Sequence, residues 1–185
     1  MLALALTLLL SLPAAPSGGA GKVFLTPEEA LKLAFPGCAL ERTTEVLSEA
    51  EAKRVEELAG SDLPSRIVRP YLARKDGALV GTAYFDAHRV RTKNEVLMLV
   101  IGPDQRLKRV EVLSFAEPSE YLPKAAFYAQ FAGACLDEQL DLRRDIRGVA
   151  GATLSAEAAT AAARRTLALQ RVLGERRLPV PPPAR

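Results

Sequence analysis

Two hydroxyl side chains lie close together near the carboxyl end of the chain, in the segment Gly151-Ala152-Thr153-Leu154-Ser155. The glycine and the alanine leave the backbone almost bare, so that a bulky ligand can approach it. Ser155 is the expected N-cap of the helical pattern that follows, and the N–H groups at a helix N-terminus bind phosphate. The segment therefore predicts a phosphate site, although an ordinary loop-to-helix turn with a serine cap has the same pattern.

The same five residues resemble the Gly-Ala-Thr-x-Thr/Ser element of the FMN-binding domain family. That family includes the FMN-carrying subunits of the sodium-pumping NADH:quinone reductase and of Rnf-type complexes. There the threonine carries FMN through a phosphoester bond that a dedicated flavin transferase installs. The resemblance, which covers residues 67–169, implies that Thr153 is the attachment residue and that Ala150 to Ser155 contact the cofactor. Two positions differ from the family pattern, because Ala150 replaces a serine or threonine and Arg147 replaces an aspartate.

A loop predicted at residues 86–92 supplies further candidates, His88 and Arg91. Cationic side chains there can contact a flavin phosphate or stabilise negative charge on the reduced ring. The alternative is a solvated loop whose surface ion pairs are each worth about 0–1 kcal/mol.

The segment 117–123 stands where the resembling flavoproteins have a Glu-Thr-Pro-Gly-type loop that contacts the isoalloxazine ring. The resemblance therefore implies four more cofactor contacts, namely Glu117, Pro118, Tyr121 and Leu122. A proline-bounded turn that caps the next helix is the alternative interpretation.

Composition narrows the class of protein. The 185 residues suit one domain, and the net charge of +3 comes from acidic and basic residues that are interleaved along the chain. This distribution argues against a nucleic-acid partner. A single histidine and two distant cysteines cannot build a zinc or iron–sulfur site, so any redox chemistry requires an organic cofactor.

Residues 1–20 begin with an apolar run and end in small residues, which is the pattern of a secretory signal peptide. The pattern predicts an exported protein, in the periplasm or at the outer face of the cytoplasmic membrane. The mature chain is expected to begin between residues 17 and 22. An uncleaved membrane anchor or a misplaced start codon would give the same run.

The rest of the chain, residues 21–175, reads as one domain followed by a proline-rich tail at 176–185. Thr26 and Ser48 each begin a capping box, which predicts two helices near the start. Strand patterns at residues 67–74 and 78–85 flank a hairpin turn, and a second hairpin joins residues 95–101 to 107–115. A last helix is expected from about residue 155 to residue 173. The prediction is an α+β fold with an antiparallel hairpin meander covered by helices.

Cys38 and Cys135 are the two cysteines of the chain. Export would place them in an oxidising compartment, where a disulfide persists. Two small buried hydrophobic residues are the alternative, since a sequence gives no distance between them.

The resemblance implies a flavoprotein that carries FMN on Thr153 and relays electrons, as a transfer component more than a stand-alone enzyme, and the pattern at residues 1–20 predicts its export. Its implied partners are a flavin transferase and an unidentified redox donor and acceptor at the membrane. Two alternatives stay open. The first is a module that holds FMN or another ligand non-covalently, without turnover. The second is a structural exported domain that has lost the flavin, which the departures at Ala150 and Arg147 would allow.

Overall fold

The structure is a computed structural model that describes residues 21–176. In chain order its elements are β1 (Lys22–Val23), α1 (Pro27–Ala34), β2 (Ala39–Arg42), β3 (Glu45–Val46), α2 (Glu49–Ala59), β4 (Ile67–Val68), β5 (Tyr71–Lys75), β6 (Ala78–Arg89), β7 (Asn94–Ile101), β8 (Leu107–Phe115), α3 (Ala125–Tyr128) and α4 (Thr153–Arg176). Short 3₁₀ turns at Ser119–Tyr121 and Ala129–Phe131 flank α3. The predicted signal segment at 1–20 and residues 177–185 of the predicted tail lie outside the described residues.

The main sheet has six antiparallel strands in the order β1-β8-β7-β6-β5-β2, and it is curled. Strands β5 to β8 form the predicted meander, and the α+β fold class is confirmed. The edge strands β1 and β2 were not predicted, because one has two residues, the other has four, and none of the six is buried. Strands β3 and β4 pair separately.

Helices cover both faces of the sheet, as the alternation along β7 shows. Leu97, Leu99 and Ile101 are fully buried in one cluster with residues of α2 and α4. Met98 and Val100 point to the opposite face and join a second cluster with residues of α1. Because successive side chains of a strand point to opposite faces, this one strand contributes to both cores.

Both predicted capping boxes are present and begin the helices α1 and α2. In each, the cap hydroxyl accepts from the N–H of a glutamate three residues on, while the glutamate carboxylate binds the cap residue in return. Glu51 of the second box also accepts two hydrogen bonds from Arg176, at 2.7 and 2.8 Å, which joins the start of α2 to the end of α4. No helix within residues 21–176 is long and apolar enough to cross a membrane.

Two strand predictions need correction. The strand expected at residues 67–74 is broken around Pro70, so that β4 and β5 belong to different sheets. Proline has no N–H to donate to a ladder, although the Pro70 carbonyl still accepts from the N–H of Thr43. The loop expected at residues 86–92 is shorter than predicted, because β6 continues to Arg89.

Cys38 and Cys135 are both free thiols in the structure. The Cys38 thiol donates to the carbonyl of Pro36, and the Cys135 thiol donates to Asp137 Oδ2 at 3.1 Å. Cys38 packs against the cluster on the α1 face, whereas Ala134 and Leu136 beside Cys135 pack against the cluster on the α2/α4 face. We expect two free thiols in denatured, unreduced protein, measured with a chromogenic disulfide reagent. A count of free thiols near zero would show instead that Cys38 and Cys135 form a disulfide.

Candidate functional site

A small pocket of about 190 Å³ lies where α4 begins. Three segments of the chain meet there: the loop between β6 and β7, the 3₁₀ turn after β8 and the first turn of α4. We call it the threonine pocket, and its lining residues are Arg91, Tyr121, Gly151, Ala152, Thr153, Leu154 and Ser155. The fold thus brings the motif together with two of the cationic or aromatic residues that were predicted from other segments.

The prediction that Ser155 is the N-cap of the last helix is wrong. Helix α4 begins two residues earlier, at Thr153, and the Ala156 N–H donates to the Ala152 carbonyl. Ala152 therefore holds the cap position. Ser155 lies in the first turn with 1 % of its surface exposed, and its hydroxyl donates to the Tyr121 carbonyl at 2.6 Å. Its role is to fasten the 3₁₀ turn to the helix.

Thr153 has the opposite environment. Its side chain is exposed, and none of the hydrogen bonds among residues 21–176 involves its hydroxyl. An alanine cap has no side-chain oxygen, so it leaves the N–H groups of the first helical turn available to an anion. Gly151 has φ 82°, which favours glycine, and the space beside its α-carbon is open. Nothing beyond its chain neighbours lies within 4 Å of where a Gly151 side chain would begin, which leaves room beside the motif.

Arg91 places a positive charge in the threonine pocket. Its guanidinium lies 5.0 Å from the centre of the Tyr121 ring, within the range of a cation–π contact. A planar guanidinium held on an aromatic face also presents its edge donors to a phosphate. The pocket therefore offers a cation, a helix N-terminus and an exposed hydroxyl at one place.

The Glu117 carboxylate holds the loop between β6 and β7 through backbone hydrogen bonds. Its Oε1 accepts from the N–H groups of Thr92 at 2.6 Å, Lys93 at 2.8 Å and Arg91 at 3.3 Å. The N–H groups of Lys93 and Thr92 lower the pKa of the Glu117 carboxyl. The family resemblance implied a cofactor contact at this position; in the structure the carboxylate is bonded to the loop that carries Arg91.

A larger groove of about 890 Å³ adjoins the threonine pocket, and Ala152 lines both. We call it the loop groove; its other lining residues are Glu120, Leu122, Lys124, Ala126, Phe127, Gln130, Asp145, Arg147, Gly148, Val149 and Ala150. Gln130 fixes its floor, since the side-chain amide exchanges two hydrogen bonds with the backbone of Arg147, at 2.9 and 3.2 Å. No sequence signal identified Gln130, because its partner Arg147 lies 17 residues away along the chain.

Of the remaining predicted site residues, some line the loop groove and others lie away from both cavities. Leu122 and Ala150 line the loop groove. Pro118 is exposed and lines neither cavity; its carbonyl accepts from the Tyr121 N–H. The structure does not bring His88 to the pocket, because Nδ1 lies 2.9 Å from Asp86 Oδ1 and Nε2 lies 3.1 Å from Glu95 Oε2. Both ring nitrogens are therefore occupied by carboxylates inside the fold.

Replacing Ser155 with alanine should lower the free energy of unfolding by about 1–2 kcal/mol, because it leaves the Tyr121 carbonyl without its partner. Chemical denaturation followed by circular dichroism measures this change. Thr153→Ala is the matched control, since it removes an exposed hydroxyl without a partner, and it should change the unfolding free energy by less than about 0.5 kcal/mol. Equal losses in the two variants would contradict the different roles assigned to the two hydroxyls.

Comparison of the chain with protein-family models, with curated proteins and with solved structures found no match in any of the three.

Proposed function

We propose that the protein is an exported electron carrier that holds FMN as a phosphoester on Thr153. The observation that carries the proposal is the contrast between the two hydroxyls of the motif. Thr153 is exposed and has no hydrogen-bond partner within residues 21–176, whereas Ser155 is buried and bonded to Tyr121. A transferase working on the folded protein would therefore reach Thr153 and not Ser155. In this step the Thr153 oxygen would take the flavin phosphate from a flavin diphosphate donor, whose P–O–P bond breaks, and the other phosphate half would leave with the electron pair while the hydroxyl proton is released.

The residues around Thr153 suit the phosphate and ribityl parts of such a group. Arg91 supplies a positive charge, and the first turn of α4 supplies N–H groups with the positive end of the helix dipole. The threonine pocket, at about 190 Å³, is smaller than the roughly 300–1,000 Å³ of most ligand pockets, so it cannot also enclose a tricyclic ring. The loop groove, which shares Ala152 with it, has the necessary volume.

The exposure of the loop groove favours an electron carrier over an enzyme with an enclosed active site. Most of its polar lining is exposed, including Glu120, Lys124 and Arg147. A ring held there would keep an edge accessible to a redox partner, while the cations Lys124 and Arg147 would favour the anionic reduced ring. When bound, FMN supplies the redox chemistry, accepting two electrons and passing them on singly.

A visible absorption spectrum of protein purified from its native host tests the proposal. We expect flavin colour that stays with the protein after denaturation and gel filtration. Colour that is lost on denaturation would support a non-covalent binding module instead. A colourless protein would support a structural domain that has lost the flavin. Export rests on residues 1–20 and stays a prediction; N-terminal sequencing of secreted protein tests it.

A further inference from the structure

A continuous chain of hydrogen-bonded polar and charged side chains is buried between β6, β7, α3 and α4. Arg165 donates to both carboxylate oxygens of Asp86, at 2.8 and 2.9 Å, and Asp86 contacts His88 Nδ1 at 2.9 Å. His88 Nε2 contacts Glu95 at 3.1 Å, and Glu95 Oε1 accepts from the Tyr128 hydroxyl at 2.7 Å. We call these five residues the buried charge chain. The side chains of its four ionic members are 0–12 % exposed.

The buried charge chain joins the elements that form the walls of the threonine pocket. His88 and Glu95 are cross-strand partners in β6 and β7, and the loop at residues 90–93 that carries Arg91 connects those two strands. Tyr128 lies on α3, which follows the 3₁₀ turn that carries Tyr121. Arg165 lies on α4, which begins at Thr153.

We propose that His88 is a positioning residue for the threonine pocket: its imidazolium, held between Asp86 and Glu95, closes the end of the β6–β7 hairpin and thereby keeps the Arg91 loop against Tyr121. The positioning role of His88 does not require a bound ligand. Only the identity of the ligand in the threonine pocket rests on the proposed function.

The charge balance of the chain explains why the imidazole is protonated. Two carboxylates, Asp86 and Glu95, face one permanent cation, Arg165, so a second positive charge on His88 makes the buried group neutral. Burial opposes that charge, but the hydrogen bonds to the two carboxylates outweigh it and raise the pKa of His88 to about 9. Removing the proton would leave one buried carboxylate without a compensating charge.

The raised pKa fixes the sign of the pH dependence. The His88 contribution is fully present below its ordinary pKa, about 6.5, and is lost as the pH rises through about 9. The other groups that face His88 are Asp86 on its own strand, Glu95 on β7, Arg165 on α4 and Tyr128 on α3. Burial raises the pKa of Asp86, but the hydrogen bonds from His88 and Arg165 outweigh it, so the net pKa is below its ordinary value. Burial together with the Glu95 charge raises the pKa of Tyr128 above its ordinary value.

Limited trypsin digestion of the flavin-free full chain tests the proposal, because Arg91 and Lys93 provide cleavage sites inside the loop. The probe is the rate of cleavage at these two sites, read by mass spectrometry at pH 7.5 and 9.5. A peptide of residues 88–96 corrects for the pH dependence of trypsin. We expect the corrected rate to rise at least about tenfold, since each pH unit between the two pKa values changes the equilibrium constant tenfold.

Two variants complete the experiment. His88→Gln should be cleaved rapidly at both pH values, with no further increase at pH 9.5. Arg89→Gln, which removes a charge from the adjacent exposed residue, should behave as the wild type. The proposal is overturned if His88→Gln is as resistant as the wild type, or if it retains the pH response. It is also overturned if cleavage rises equally at sites in α2 and α4, because that result shows global loosening. If His88→Gln does not fold, the wild-type profile at loop and helix sites decides.

Discussion

Protein that carries Thr153→Ala should gain no FMN when it is produced together with a flavin transferase, whereas the wild type should gain one. The side chain that accepts the phosphoester is absent in the variant, and Ser155 cannot replace it. The Ser155 hydroxyl is buried and donates to the Tyr121 carbonyl, so it faces the interior of the fold. The expected effect is therefore complete loss of the mass increase, measured on the intact denatured protein.

Two matched variants separate chemistry from folding. Thr153→Ser keeps a hydroxyl at the same exposed position and should retain attachment, at a rate set by the transferase. Ser155→Ala should retain attachment although its unfolding free energy is lower. If Thr153→Ala still gains the mass of FMN, the flavin is attached elsewhere. If Ser155→Ala loses attachment while Thr153→Ala keeps it, the two roles are reversed.

The largest change in stability should come from Arg165→Met. Only 7 % of the Arg165 side chain is exposed, and it donates two hydrogen bonds to Asp86. Removing one partner of a buried pair leaves an uncompensated charge, which costs about 3–5 kcal/mol. For a chain of this size each kcal/mol lowers the melting temperature by roughly 2–4 °C, so the expected fall is about 6–20 °C.

Arg171→Met is the control on the same helix. Arg171 is exposed and makes one hydrogen bond, to the Leu136 carbonyl, so its loss should cost no more than about 1 kcal/mol. Adding Asp86→Asn to Arg165→Met should recover part of the loss, because it removes the unpaired charge. Similar melting temperatures for the two arginine variants would show that the buried pair does not stabilise the fold as described.

The parts of the fold that were predicted correctly are those with local signals. The capping boxes at Thr26 and Ser48 need residues three positions apart, and both are present in the structure. The turn after β5 uses Asp76 and Gly77, both with positive φ, as a two-residue hairpin requires. Each of these features is decided by neighbours in the sequence.

The features that were missed depend on distant partners. Asp86 and His88 are polar residues that the sequence placed in a loop. In the structure both lie on β6 with their side chains buried, because Arg165 and Glu95 compensate their charges. Serine is a residue type that favours N-caps, but the Ser155 hydroxyl donates to the Tyr121 carbonyl, 34 residues away. In each case a polar side chain is bonded to a group that no local pattern identifies, so sequence alone could not assign it.

The candidate site was partly predicted for the same reason. The motif around Thr153 is local, and the structure places Arg91 and Tyr121 beside it. Glu117 was expected at a ligand, but its carboxylate binds the loop of residues 91–93. The direction of this carboxylate depends on where the β6–β7 loop folds back, which no local pattern in the sequence reveals.

Tandem mass spectrometry of the tryptic peptide at residues 148–164 shows which residue carries the flavin. This peptide contains three hydroxyl residues, of which Thr153 is exposed whereas Ser155 and Thr160 are buried. For protein produced with a flavin transferase, we expect an added flavin phosphate on fragments that contain Thr153 and on none that begin after it. The same addition on Ser155 or Thr160, or an unmodified peptide beside a flavin bound elsewhere, would contradict it.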